Sequence, residues 1–125
     1  AAALPAGSVT FLGYRTDVQT VMSQLDLIVL SSLWEGLPLT MLEAFSVGRT
    51  AVATAVGGTP DVVRDGVDGL LVPPRDPAAI AAAVCRLIED PELRKKMEIS
   101  AAERYRTVFS LDRLAKEYLH YYEQL

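Results

Sequence analysis

Little in these 125 residues can cross-link the chain, gather a metal or cross a bilayer. The one cysteine, Cys85, excludes an internal disulfide framework and fits a reducing, cytoplasmic setting. Set within an apolar helical stretch, Cys85 reads as a small buried residue. The one histidine, His120, stands among tyrosines near the end of the chain and reads as a surface or packing residue. With so few ligating side chains, no His/Cys/Asp cluster suggests a metal, and none is expected. No apolar run approaches the ~20 residues that a membrane span needs. There is no Gly-rich phosphate loop. Basic residues are outnumbered, 12 Lys and Arg against 16 Asp and Glu, and a net charge of −4 argues against nucleic acid as the main partner. The opening residues 1–7 lack the basic flank of a leader and read as the frayed end of an upstream helix.

What is present is globular: 50% hydrophobic and 22% charged residues, enough for one domain with a core. Val9–Leu12 is a short β-branched and aromatic run closed by Gly13 and reads as a strand. Asp17 then caps a helix carrying Val18, Val21, Met22 and Leu25 on one face. Leu27–Leu30 is continuously apolar, the mark of a strand covered on both faces. A helix starts near Pro38, buries Leu39, Leu42, Ala44 and Phe45, and stops at Gly48. Thr50–Thr54 and Leu70–Val72 are two further strands, with a short helix near Pro60–Arg64 between them. From Pro77 onward all signals are helical. Three apolar stripes follow: Ile80, Val84, Leu87 and Ile88; then Leu93, Met97 and Ala101; then Leu111, Leu114, Tyr118 and Tyr122 behind Ser110 as a cap. Strands alternating with helices predict an α/β fold with a parallel, Rossmann-like sheet of about four strands and a helical tail. Ligands of such sheets bind beyond the carboxyl ends of the strands, where residues 13–16, 31–38 and 57–60 fall.

The stretch Ser31–Gly58 carries the chemistry. A helix beginning at Pro38 or Leu39 presents unpaired amides with partial positive charge, an anion site. Gly36 lets a ligand approach the backbone. Glu43 lies about 6–8 Å along the helix from its start, and Glu35 precedes it, so the carboxylates flank the anion site. This suits an extended ligand with hydroxyls at both ends and phosphate in the middle, the form of a nucleotide-sugar. Two plainer readings stand beside it. Glu35 is then a solvated loop residue and Glu43 a helix-surface one, or the pair serves a glycoside hydrolase as acid and base.

The pattern Ser31-Ser32-x-x-Glu35-Gly36-x-Pro38-x-x-x-x-Glu43-Ala44-x-x-x-Gly48 resembles the E-x7-E signature of glycosyltransferase family 4, retaining enzymes of the two-domain GT-B architecture. The flanks agree: Phe11-Leu12-Gly13 before it, then Gly57-Gly58-x-Pro60-Asp61, Asp65-Gly66-x-x-Gly69-Leu70-Leu71-Val72, and Phe109-Ser110 with Tyr118 to Tyr122. The likeness runs over residues 8 to 122. Asp61 is a mild departure, since the family often has Glu there. The resemblance implies transfer of a sugar from a nucleotide-diphosphate-sugar to an acceptor hydroxyl with retained anomeric configuration. It implies that Glu35 contacts the transferred sugar and Glu43 the ribose hydroxyls. Gly36, Leu37, Pro38 and Leu39 would line the sugar and diphosphate, and Tyr14 and Arg15 would lie near the base. Gly57-Gly58 is either a close-packed turn or a second ligand contact.

The same resemblance implies an N-terminal acceptor domain, an upstream Arg and Lys that clamp the diphosphate, and two βα units before Val9, none of them within residues 1–125. The chain alone is then expected to bind donor weakly and transfer nothing. The family's sheet order also leaves Val9–Leu12 without its neighbours. Exposed edges and a homodimer, by edge pairing or segment exchange, are expected of such a half-domain, and a non-catalytic truncated or engineered half-domain that self-associates stands as an alternative reading of the chain.

Overall fold

Three parallel strands make the sheet of the computed structural model, which describes residues 4–125. They are β1 (Ile28–Leu30), β2 (Ala51–Thr54) and β3 (Gly69–Val72), hydrogen-bonded in that order. The registers pair Ile28 with Ala51 and Ala51 with Gly69. Helices α1 (Val18–Ser23), α2 (Leu39–Ser46) and the short α3 (Thr59–Val62) alternate with the strands. Helices α4 (Pro77–Glu89) and α5 (Pro91–Arg104), a π-helical turn (Tyr105–Phe109) and α6 (Leu111–Glu123) complete the chain. The opening reading of residues 1–7 falls partly outside the described residues; Leu4–Ser8 form a turn, with the Ser8 amide on the Pro5 carbonyl at 3.1 Å, and not a helix.

Central β2 is buried along its length, and its alternation divides the core. Ala51 and Ala53 face a cluster of Met22, Ile28, Met41, Ala44, Phe45 and Ala101 beneath α1, α2 and the end of α5. Val52 faces Leu70, Val72, Ala83, Leu87 and Met97 under α4 and the start of α5. Fully buried Phe45, Met41, Leu87 and Met97 each contribute about 1.5–3 kcal/mol relative to exposure. The ends of α2 follow from sequence. Pro38 opens it, and Gly48 closes it at φ +69° with its amide on the Phe45 carbonyl and the Arg49 amide on that of Ala44, a Schellman arrangement. Asp76, Asp90 and Ser110 cap α4, α5 and α6 through their side chains.

Two polar clamps fasten the far ends of this core. Arg49 reaches Glu98 at 3.0 Å and the Ser23 carbonyl at 2.7 Å, joining the turn before β2 to α1 and α5. Asp68, with a fully buried side chain, accepts from Arg64 Nη2 at 2.6 Å, Arg64 Nε at 2.8 Å and Ser100 Oγ at 2.8 Å. Burial pushes its carboxyl up, but the hydrogen bonds from Arg64 and Ser100 outweigh that and hold it below the usual carboxylate range.

Several expectations need correction. Val9–Leu12 is not a strand, so the sheet has three strands and not four. A strand needs a neighbour's amides and carbonyls, and these residues have none; Phe11 is 95% exposed. Asp17 stands before α1 without a cap bond, because its carboxylate is held by Arg15. Of the α1 stripe only Met22 is buried, while Leu39 is exposed at the start of α2 and Met41 takes its place in the core. Cys85 is exposed, and so is Ile88. The stripe of Leu111, Leu114, Tyr118 and Tyr122 also faces outward, since no residue of α6 is buried. Among the described residues no helix is long and apolar enough to cross a membrane.

Candidate functional site

The loop from Ser31 to Pro38 leaves the carboxyl end of β1 and is held from β2. Thr54, the last residue of β2 and almost wholly buried, donates its hydroxyl to the Ser32 carbonyl at 2.5 Å. The Ser32 hydroxyl in turn donates to Glu35 Oε1 at 2.6 Å. The turn after β2 supports the next residues: the Gly58 amide donates to the Gly36 carbonyl at 2.8 Å. A Cβ on Gly57 would overlap the Glu35 carbonyl oxygen and one on Gly58 that of Gly36, and Gly57 has φ +51°. Gly57-Gly58 is therefore a close-packed buttress beneath the loop.

Above that buttress the backbone turns into α2. Pro38 is buried with extended geometry, and no side chain caps the helix. The Met41 amide takes the Pro38 carbonyl at 3.0 Å, leaving the Leu39 and Thr40 amides without a side-chain acceptor. Gly36, Leu37 and Leu39 are exposed beside this helix start, as is Trp34, while Glu35 is half-buried.

Glu43, also half-buried, stands on the second turn of α2 and lines a cleft of about 550 Å³. The opposite wall runs from Tyr14 to Thr20. Tyr14 is exposed there, and Arg15 grips Asp17 through Nε–Oδ1 at 2.8 Å and Nη2–Oδ2 at 2.6 Å. That hydrogen-bonded fork lowers the Asp17 carboxyl and raises the Arg15 guanidinium from their ordinary values. Arg15 thus carries its counter-ion with it. Glu35 is not part of this cleft lining. An uncapped helix start between two half-buried carboxylates, one held over the loop and one facing a polar cleft, can take an anion with a hydroxylated group on either side. Among the described residues no group of three or more His, Cys, Asp or Glu is gathered as a metal would require.

The family model of the glycosyl transferases group 1 matches residues 1–90. The chain belongs to this family. Among related glycosyltransferases, it is 33% identical to alpha-D-kanosaminyltransferase of Streptomyces kanamyceticus over 94% of its own length and 31% of that enzyme. It is 39% identical to D-inositol 3-phosphate glycosyltransferase of Salinispora tropica over 91% of its length and 24% of that enzyme. In structure it matches Anabaena HepE, solved with UDP-glucose, at a TM-score of 0.89 and 26% identity, covering 96% of this chain and 33% of that one. The chain thus spans about a quarter to a third of these glycosyltransferases, and its fold is the matching part of their GT-B, Rossmann-like architecture.

For this member of the glycosyltransferase family, the residues expected at a site fall into two adjoining groups. Glu35, Gly36, Leu37, Pro38 and Leu39 form the loop and helix start, and Tyr14, Arg15 and Glu43 share the cleft. Pro38 supports the loop from within and does not face outward. Thr16, from the loop 13–16 expected to face a ligand, and Gln19 and Thr20, for which nothing was expected, complete the cleft wall. Ser32 and Thr54 were also unassigned, although the spacing Ser32-x-x-Glu35 is the signal of a short side-chain contact.

Proposed function

We propose that this chain is the donor-binding part of a retaining glycosyltransferase that moves a sugar from a nucleotide-diphosphate-sugar to an acceptor hydroxyl. The observation that carries the reading is the uncapped start of α2, flanked by Glu35 on its Ser32 tether and by Glu43 in the cleft. Family membership and the solved likeness to a protein holding UDP-glucose support it. In this reading the Leu39 and Thr40 amides receive the diphosphate, Glu35 orients the sugar, and Glu43 accepts from the ribose hydroxyls beside Tyr14 and Arg15. Catalysis comes mainly from stabilising the departing diphosphate at the helix start, with cations supplied from outside residues 1–125. The reading assigns no metal to these residues, an acceptor domain to the rest of the polypeptide, and a cytoplasmic location consistent with a lone exposed thiol. The exposed Val9, Phe11 and Leu12 support self-association of the isolated chain.

Substitution in the complete enzyme tests the assignment. Glu35→Ala is expected to lower kcat by about 100-fold or more, and Glu43→Ala to raise the KM for the donor about tenfold, as loss of hydrogen bonds to a carboxylate would. Near-normal constants in both variants would remove the carboxylates from the site. Cleavage of a simple glycoside without any nucleotide would instead favour a hydrolase.

A further inference from the structure

We propose that Ser32 is a positioning residue, setting Glu35 for the transferred sugar; this rests on the donor-site reading above. A glutamate side chain turns about three bonds, so a carboxylate in a loop samples many orientations unless something fixes it. Here the fixing is built in sequence from the sheet. Thr54 is 1% exposed at the end of β2 and holds the Ser32 carbonyl at 2.5 Å, with the Leu30 carbonyl within 3.4 Å of the same hydroxyl. Ser32 then donates to Glu35 Oε1 at 2.6 Å. From the other side, Gly58 holds the Gly36 carbonyl at 2.8 Å, so the backbone on both flanks of Glu35 is tied to β2 and the turn after it.

The consequence is chemical as well as geometric. An ionised carboxylate only accepts hydrogen bonds, and Ser32 occupies one oxygen. Among the described residues no donor reaches the other oxygen, Oε2, which leaves it to accept from a sugar hydroxyl. A group pre-set in this way loses less freedom when the sugar arrives, and a misplacement of about 1 Å can cost about 100-fold in rate. Ser32 touches no substrate in this account; it acts through Glu35.

The experiment is steady-state kinetics of the complete enzyme, with the better of UDP-glucose and GDP-mannose as donor and the matching nucleoside diphosphate as inhibitor. Ser32→Ala is expected to lower kcat about tenfold to a hundredfold, the range of a hydrogen bond to a charged group. Inhibition by the nucleoside diphosphate should be unchanged, because that ligand lacks the sugar that Glu35 meets. Ser32→Thr should restore kcat. In a Glu35→Ala background, Ser32→Ala should cost nothing more. The proposal is overturned if Ser32→Ala keeps full kcat, if it costs as much with Glu35 absent, or if diphosphate inhibition weakens in parallel, the sign of a merely structural role. Full turnover by Glu35→Ala alone, or no transfer by the wild-type enzyme, would instead overturn the donor-site reading itself.

Discussion

Two adjacent glycines offer a test of how the candidate loop is held. Gly58 has an ordinary φ of −79°, so Gly58→Ala adds no backbone strain. Its new Cβ would overlap the Gly36 carbonyl oxygen, to which the Gly58 amide also donates at 2.8 Å. Relief requires the loop to retreat and that hydrogen bond to stretch, a cost of about 1–3 kcal/mol by comparison with overpacked cores. Gly57→Ala meets the Glu35 carbonyl oxygen in the same way, but at φ +51° it adds left-handed strain of about 1–2 kcal/mol. The ordering is therefore Gly57→Ala worse than Gly58→Ala, and both worse than Gly36→Ala, where a Cβ meets nothing within 4 Å. For a domain of this size each kcal/mol lowers Tm by roughly 3–6 °C. Thermal unfolding gives the ordering, and amide shifts of residues 31–40 show whether the loop moves. Wild-type Tm and unchanged Glu35 and Gly36 amides in Gly58→Ala would refute the buttress.

Other perturbations probe the clamps and surfaces. Because the folded Asp68 carboxyl lies below its ordinary range, its stabilisation is fully present above about pH 4 and is lost as pH falls through the folded value. Asp68→Asn should cost about 1.5–3 kcal/mol at neutral pH, followed by urea unfolding, and should flatten the acid limb of stability. An unchanged acid limb would contradict the clamp. Sedimentation of the 125-residue chain should show concentration-dependent self-association that Phe11→Ser weakens. A monomer at all concentrations would remove that expectation.

The sheet was legible because its strands are short apolar runs flanked by turn residues, but the cover on both faces expected of Leu27–Leu30 is found in β2 instead, and Val29 of β1 is 44% exposed. The start of α6 was legible through its cap Ser110, and that of α4 through Pro77, whereas Asp17 proved no cap for α1. Val9–Leu12 and the α6 stripe failed for one shared reason. An apolar pattern states that a surface seeks cover, whereas pairing and burial depend on a neighbour that local pattern cannot supply. Cys85 is a different case: it lies two residues from buried Ala83, about 200° around the helix, so the spacing already placed it outward. Asp68 lies between Gly66 and Gly69 in the turn before β3, and its partner Ser100 comes from a distant helix that no local pattern names. At the candidate site, the residue types and spacing singled out Glu35 and Glu43 as candidates. Ser32 holds the Glu35 carboxylate locally, but what holds the loop around them comes from Thr54 on the neighbouring strand and Gly58 in the turn after it.

The most direct test of the central claim is titration of this chain with UDP and UDP-glucose while the amides of Gly36, Leu37, Leu39 and Thr40 are followed by NMR. The account predicts saturable shifts at these four amides, weakened for both ligands by Glu43→Ala and for UDP-glucose alone by Glu35→Ala. Absence of shifts there at millimolar ligand, or saturable shifts confined to another surface, would contradict the start of α2 as the place where the donor diphosphate binds.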